Sequence, residues 1–447
     1  MMPPVARAMA ACLAAGALAA TAGCAAWPRR YGSTSCCIET KPAVRRQPVW
    51  WHLFDVTVLE PLEAPFHLMR VGRRIAGSPI RSLNLRDGRV TGSAFLEDRD
   101  PSRLTAEQVR WGPTRPEDLA VPPLTVTRLK DEGKTAGFFA TDSRGVRYLL
   151  KLDPVNAPEL LSGAEVVTSK LLHSLGYRVP SYEIIRLQAG ELLLAPNATV
   201  KAPGGANEPL AQEVLDRLIE PRLHDGRLRV SGTRLLEGDI LGPASFKTFR
   251  DCAEVRALKV AYAWVNDIDT KDHNSLLVWN GTETVGYLID FGTALGADAG
   301  LAGPKTPCAG WTNIVDMEEL SLELVTLGFH RPVCDPQPQP VSSNIGLFTG
   351  NVNPDRWKPY APNVAFKEMN QEDARWIARR LHQLLRPQIE AAVSAGQYSA
   401  AGEAAYLTDV LDARRRAIVD HYLREELEEE QEALEEEREK RMKQDST

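Results

Sequence analysis

The stretch Val265-Asn266-Asp267-Ile268-Asp269-Thr270-Lys271-Asp272-His273-Asn274, followed by Leu288-Ile289-Asp290-Phe291-Gly292, decides how this chain is read. Residues 255–265 are apolar with helical period, and 276–279 and 285–289 are short β-runs joined by Asn280-Gly281, a hairpin-type turn. A helix, a loop and a hairpin in that order can fold Asp290 back beside Asp269. Phosphoryl transfer asks for few protein groups: a carboxylate to orient the attacking hydroxyl, a cation to offset developing charge, and an amide oxygen with a second carboxylate to hold a divalent cation on the phosphates. Asp269, Lys271 and Asn274 supply the first three from one loop, and Asp290 supplies the last. Asp267 could add a carboxylate or cap the loop. His273 has no partner at ligand spacing and is expected to be structural.

Working outward toward the N-terminus, residues 124–129 alternate like a strand and 133–137 form a turn. Residues 138–141 and 146–152 are two more β-runs around Asp142-Ser143-Arg144-Gly145, a hairpin signal. The third strand ends in Lys151. Ser162-Gly163-Ala164-Glu165 has the form of a helix N-cap with a capping box, and Val167, Leu171, Leu172 and Leu175 give the helix its apolar face. Gly176 ends it, and residues 182–187 and 191–195 are further strands, so the order is β-β-β-α-β-β. Glu165 has two readings: it completes the capping box, or it pairs with Lys151. Gly133 and Gly137 bracket a cradle for phosphates, although there is no Gly-x-Gly-x-x-Gly and Gly133-Lys134-Thr135 lacks the surroundings of a Walker A loop.

Asp269-x-Lys271-x-x-Asn274 with Asp290-Phe291-Gly292 resembles the catalytic segment of the protein-kinase-like superfamily. The absence of His-Arg before Asp269 makes it more similar to phosphoinositide kinases and HipA-like kinases, and residues 122–423 are similar to a family of uncharacterised bacterial proteins with this core. The resemblance implies an α+β, bilobal fold with a small antiparallel β lobe and a larger helical lobe. It implies Asp269 and Lys271 as catalytic residues, Asn274 and Asp290 as metal ligands, and Lys151 with Glu165, Gly133 and Gly137 on the nucleotide. The cofactors implied are ATP and Mg²⁺, and the acceptor is a protein or small-molecule hydroxyl. A pseudokinase, the same fold kept as an envelope-anchored binding module, is the alternative.

The chain has 447 residues, 43% hydrophobic and 25% charged, enough for one bilobal domain. A net charge of −6 without a basic excess argues against nucleic acid as a partner. Arg7, an uncharged alanine-rich run and Ala22-Gly23-Cys24 describe a secretory leader over residues 1–23. Its end resembles a bacterial lipobox, which implies acylation of Cys24 and a lipid anchor in the cell envelope; without that signal the protein would be cytoplasmic. Of the other cysteines, Cys308 and Cys334 could pair, while Cys36, Cys37 and Cys252 are expected to be buried or idle thiols. The expected organisation is a wrapping extension over 24–115 with one short strand at 54–59, a β lobe over 116–198, a helical lobe over 199–423 and a charged helical tail over 424–447. Two helices are expected near 371–395 and 402–423, after an irregular, proline-rich excursion over 332–364.

Overall fold

The computed structural model describes residues 36–202, 204–330 and 340–445. Leu124–Leu129 (β1), Gly137–Thr141 (β2) and Arg147–Leu152 (β3) pair antiparallel in succession. Asp142 closes the second hairpin, its carboxylate accepting from the backbone N–H groups of Arg144 and Val146 at 2.9 Å each. Helix Leu160–Ser174 (α1) and strands Tyr182–Gln188 (β4) and Leu192–Lys201 (β5) complete the β-β-β-α-β-β order.

The sheet runs past residue 198, where the sequence put the lobe boundary. Asn207–Pro209 (β6) extends the edge beside β5, and Arg227–Arg234 (β7) inserts between β4 and β3. One face packs Leu124, Val126, Phe138, Leu150, Leu228 and Val230 into a core of its own with Leu215 and Ile219. Lys151 and Ser231, cross-strand partners, point to the other face, where α1 lies.

α1 starts two residues before the cap suggested by Ser162. Asp153, just beyond β3, does the capping instead: it accepts from the N–H groups of Leu161 and Ser162 (2.8 Å each) and from the Ser162 hydroxyl (2.5 Å). Burial pushes the Asp153 carboxyl up to about 7 despite these donors. Glu165 is therefore released from any capping box.

The helical lobe is built on Ala253–Val265 (α2), so deeply buried that Glu254 and Arg256 are 0% exposed. Buried charges are costly unless bonded, and the wrapping segment supplies the bonds. Asn84 and Ser93 donate to Glu254 (2.8 and 2.6 Å), and Arg256 donates to the Ile80 carbonyl (2.8 Å) as well as to Asp251 (2.5 Å). A disulfide joins Cys36 to Cys252, a correction to the expectation of idle thiols; a sequence separation of 216 gave no sign of it. Cys308 is also disulfide-bonded, whereas Cys334 lies outside the described residues, as do the leader and Cys24.

Residues 54–59 are helical rather than a strand. Val49–Phe54, Asp55–Leu59 and Glu60–Glu63 follow one another as helical turns, because His52, Val56 and Glu60 recur every four residues and are the ones buried. That period overrides the β-propensity of Val56-Thr57-Val58. Near the C-terminus the first expected helix is two, Gln371–Gln383 (α3) and Arg386–Ser394 (α4), with Pro387 in the first turn of the second. The second expected helix and the charged tail are one, Glu403–Asp445 (α5), 43 residues long. Leu407, Leu411, Ile418 and Leu423 bury its first half. The second half carries pairs four residues apart, Lys440–Glu436 (3.2 Å) and Arg441–Glu437 (2.6 Å). Residues 340–363 are irregular, as the prolines suggested.

Candidate functional site

α2 ends where Asn266 turns left-handed (φ +51°). The turn sends Asp267 inward and leaves Asp269 partly open to the cleft between the lobes. A hairpin of Ser275–Trp279 and Thr284–Leu288 then returns the chain, and the Ile289 N–H donates to the Asn274 carbonyl (3.0 Å), placing Asp290 beside the loop.

The expected residues converge here from both lobes. Lys151 donates to Asp290 Oδ1 (2.8 Å) and to Glu165 Oε1, and Ser231 donates to Glu165 Oε2 (2.6 Å). The Lys151–Glu165 pair is almost fully buried, while the Asp290 side chain is 38% exposed to the cleft. Asn274 donates its amide to the carbonyls of Asp269 (2.6 Å) and Asp290 (3.5 Å), which leaves its Oδ1 without a bond among the described residues. Lys271 pairs with Asp269. Asp290 has a left-handed backbone (φ +64°), held by its N–H donating to the Tyr182 hydroxyl (3.2 Å), and Tyr182 stacks obliquely on Phe291 (5.7 Å between centroids).

Burial works against charge at Asp290 and Lys151, and their pairing wins at both. Lys151, with Lys271 and Lys130 behind it, holds the Asp290 carboxyl down at about 2. Asp290 and Glu165 hold Lys151 well above the ordinary lysine value.

The two glycines behave differently. Gly137 is a sheet residue directly across from Lys151, where a Cβ would stand 2.3 Å from the Leu150 carbonyl oxygen. Gly133 sits in the loop between β1 and β2 with φ +77°. Lys130, at the root of that loop, was not singled out from the sequence. It donates to the Thr135 carbonyl (3.0 Å), and burial together with the Lys151 ammonium pulls its pKa below the lysine norm. A lysine at a strand end ahead of a glycine was the only available signal.

Behind the loop lies a second polar group of which the sequence flagged Asp267 alone. Asp267 is 2% exposed and accepts from the Thr293 hydroxyl (2.6 Å); burial pushes its carboxyl up to about 7. Lys305 donates to the Asn266 carbonyl, and burial lowers it to about 7. Tyr360 donates its hydroxyl to Asp298 and its N–H to the Ile268 carbonyl (2.7 Å). His273 bonds the Gln47 carbonyl of the wrapping segment (2.7 Å), in keeping with a structural role.

Asn274 Oδ1 and the second Asp290 oxygen, neither bonded among the described residues, are hard oxygen donors of the kind that hold a divalent cation. No group of three His, Cys, Asp or Glu among the described residues could hold a metal by itself. A cation here would complete its shell with phosphate and water, as Mg²⁺ commonly does. A cavity of about 640 Å³ lies elsewhere, beside Asp153 and Glu159, and Arg222 and Arg229 on its wall are engaged with backbone carbonyls.

No family model matches the chain, and no curated protein matches it in sequence. Among solved structures it is similar to kinases. The Helicobacter pylori proinflammatory kinase CtkA shares 10% identity, with 69% of this chain and 99% of that one covered and a TM-score of 0.36. The Golgi casein kinase shares 10% identity over 69% and 76% of the two chains, with a TM-score of 0.27. The same enzyme with Mn/ADP bound shares 11% over 67% and 74%, with a TM-score of 0.28.

Proposed function

We propose that this chain is an ATP- and Mg²⁺-dependent phosphotransferase acting on a protein or small-molecule hydroxyl. One observation carries the reading: Lys151, Glu165, Asp290, Asn274 and Asp269, from four separate segments, meet in one cleft joined by direct bonds. In this reading Lys151, positioned by Glu165, meets the α- and β-phosphates, and Asn274 and Asp290 hold the metal, which when bound neutralises phosphate charge. Asp269 orients the acceptor hydroxyl and takes its proton late in transfer. Lys271 offsets charge developing on the transferred group. Lys130, in the glycine loop, faces the same phosphates.

The test is Asp269→Asn with labelled ATP, Mg²⁺ and envelope extract. The expected outcome is a transfer rate lower by roughly 10²–10⁴, the worth of a positioned acid or base, with Mg²⁺–nucleotide binding unchanged. Equal loss of binding and turnover would make Asp269 structural, and undiminished turnover would move the chemistry elsewhere.

The location we propose is the cell envelope, with export directed by residues 1–23 and an acyl anchor on Cys24. The Cys36–Cys252 disulfide supports it, because such bonds persist in oxidising compartments. The same bond favours the second reading, a nucleotide-binding module, since those compartments hold little ATP. Nucleotide binding by the wild type with no transfer to any acceptor would select that reading.

A further inference from the structure

The turns from Val49 to Glu63 bury one narrow stripe. His52 faces Asp272 of the catalytic loop (3.6 Å), Val56 packs with Ala361 and Val364, and Glu60 pairs with Lys247 (2.7 Å) and Arg250 (3.5 Å). A surface helix ordinarily turns charges outward. This segment turns out large apolar side chains instead: Trp50, Leu62, Phe66, Leu68, Met69 and Ile75 are 63–83% exposed. Leu68–Ile75 contains no buried residue, although four of its eight residues carry apolar side chains (Leu68, Met69, Val71 and Ile75). Its charges are all basic. Arg70 is tied to Asp251 and Glu368, Arg74 reaches the same Glu368 (3.5 Å) while its side chain stays 63% exposed, and Arg73 is exposed.

Exposed apolar patches of this kind mark an interaction surface. Two further observations select its occupant. Apolar side chains interspersed with arginine and without an acid in Leu68–Ile75, with the exposed aromatics Trp50 and Phe66 on the preceding turns, complement an anionic bilayer, where aromatics sit at the interface and basic groups meet phosphates. The disulfide also brings the start of the wrapping segment to this face: Cys36 is bonded to Cys252, whose neighbour Asp251 pairs with Arg70 (2.6 Å). We propose that this face docks on an anionic membrane surface, with Trp50, Phe66, Leu68, Met69 and Ile75 entering the boundary between headgroups and acyl chains and with Arg73 and Arg74 on lipid phosphates. The contact is independent of the phosphotransfer reading, and an acyl chain on Cys24 would add to it. Because His52 touches the catalytic loop from the same turns, docking fixes how the cleft is held over the lipid.

The test uses the full chain carrying Cys24→Ser, so that no acyl group contributes, and no nucleotide. Flotation is measured with vesicles of phosphatidylcholine alone and of phosphatidylcholine containing about 30 mol% phosphatidylglycerol as the anionic lipid. The expected result is binding to the anionic vesicles roughly tenfold above the neutral ones, weakened by added salt. Phe66→Ser/Leu68→Ser/Met69→Ser should lose it by at least about tenfold, and Arg73→Glu/Arg74→Glu by several-fold. Since these side chains are exposed, melting temperatures should match the parent, which separates lost docking from lost folding. Equal flotation of parent and both variants would assign the binding to residues 1–23 and overturn the proposal. So would no flotation at all, or a dimer in solution abolished by the triple variant, which would make the occupant a second copy.

Discussion

Asp267 lies in the loop that follows α2 and Asp290 lies beyond the hairpin that returns to it, and their surroundings drive them apart. Asp290 opens to the cleft among Lys151, Lys271 and Lys130 and is held at about 2. Asp267 is sealed in, bonded to the neutral hydroxyl of Thr293 and with Lys305 farther off, and is pushed up to about 7. The front keeps a permanent negative charge where a cation and phosphates would arrive. The back holds a carboxyl poised between its two forms, surrounded by backbone contacts. A carboxylate near this loop is thus available for chemistry only on the side where lysines outweigh burial.

Asp290→Asn acts on the front and should have the largest effect. Removing that charge should lower Mg²⁺-dependent nucleotide affinity by up to roughly 10³, the equivalent of about 4 kcal/mol for unit charges 4 Å apart at an effective dielectric of 20. Thermal shift with ATP, with and without Mg²⁺, checks it, and identical metal-dependent shifts in mutant and wild type would remove Asp290 from the metal. Lys305→Met acts on the back alone. It leaves the buried Asn266 carbonyl without this donor and should destabilise the fold by about 2 kcal/mol in urea titration, with nucleotide affinity much less affected than by Asp290→Asn. A larger loss of affinity than of stability would join the two sides functionally.

The smallest effect concerns pH. The raised Asp267 pKa means that the folded state keeps its proton longer than the unfolded chain, so this group's contribution to stability declines as pH rises from about 4 to about 7. Asp290 has the opposite sign: its depressed pKa contributes stability above about 4 that is lost as pH falls toward 2. Asp267→Asn should flatten the decline between pH 4 and 7 and leave the acid limb in place. An unchanged slope across pH 4–7 would show that Asp267 does not titrate there.

What could be read from the sequence was local. The loop and hairpin around Asp269 and Asp290, the three-strand meander and the helix ending at Gly176 all follow from neighbours in the chain. What escaped reading is polar or remote. Strand Arg227–Arg234 lacks a clean alternation because Arg229 and Ser231 face inward, matched to Ser162 and Glu165 in α1. Glu165 kept two readings until Asp153 took over the helix cap, a donor set formed across eight or nine residues. Lys130 and Lys305 gain meaning only from the company that folding gives them.

The bond between Cys36 and Cys252 also decides how the molecule carries load. Cys252 immediately precedes α2, the helix that leads into the Asp267–Asn274 loop. A pull on the chain upstream of Cys36 passes through sulfur straight into the helical lobe. The intervening 37–251, including the whole sheet lobe, hang on that junction as a closed ring and bear no tension. Tension applied upstream of Cys36 therefore has a covalent path into the helical lobe that bypasses the sheet lobe.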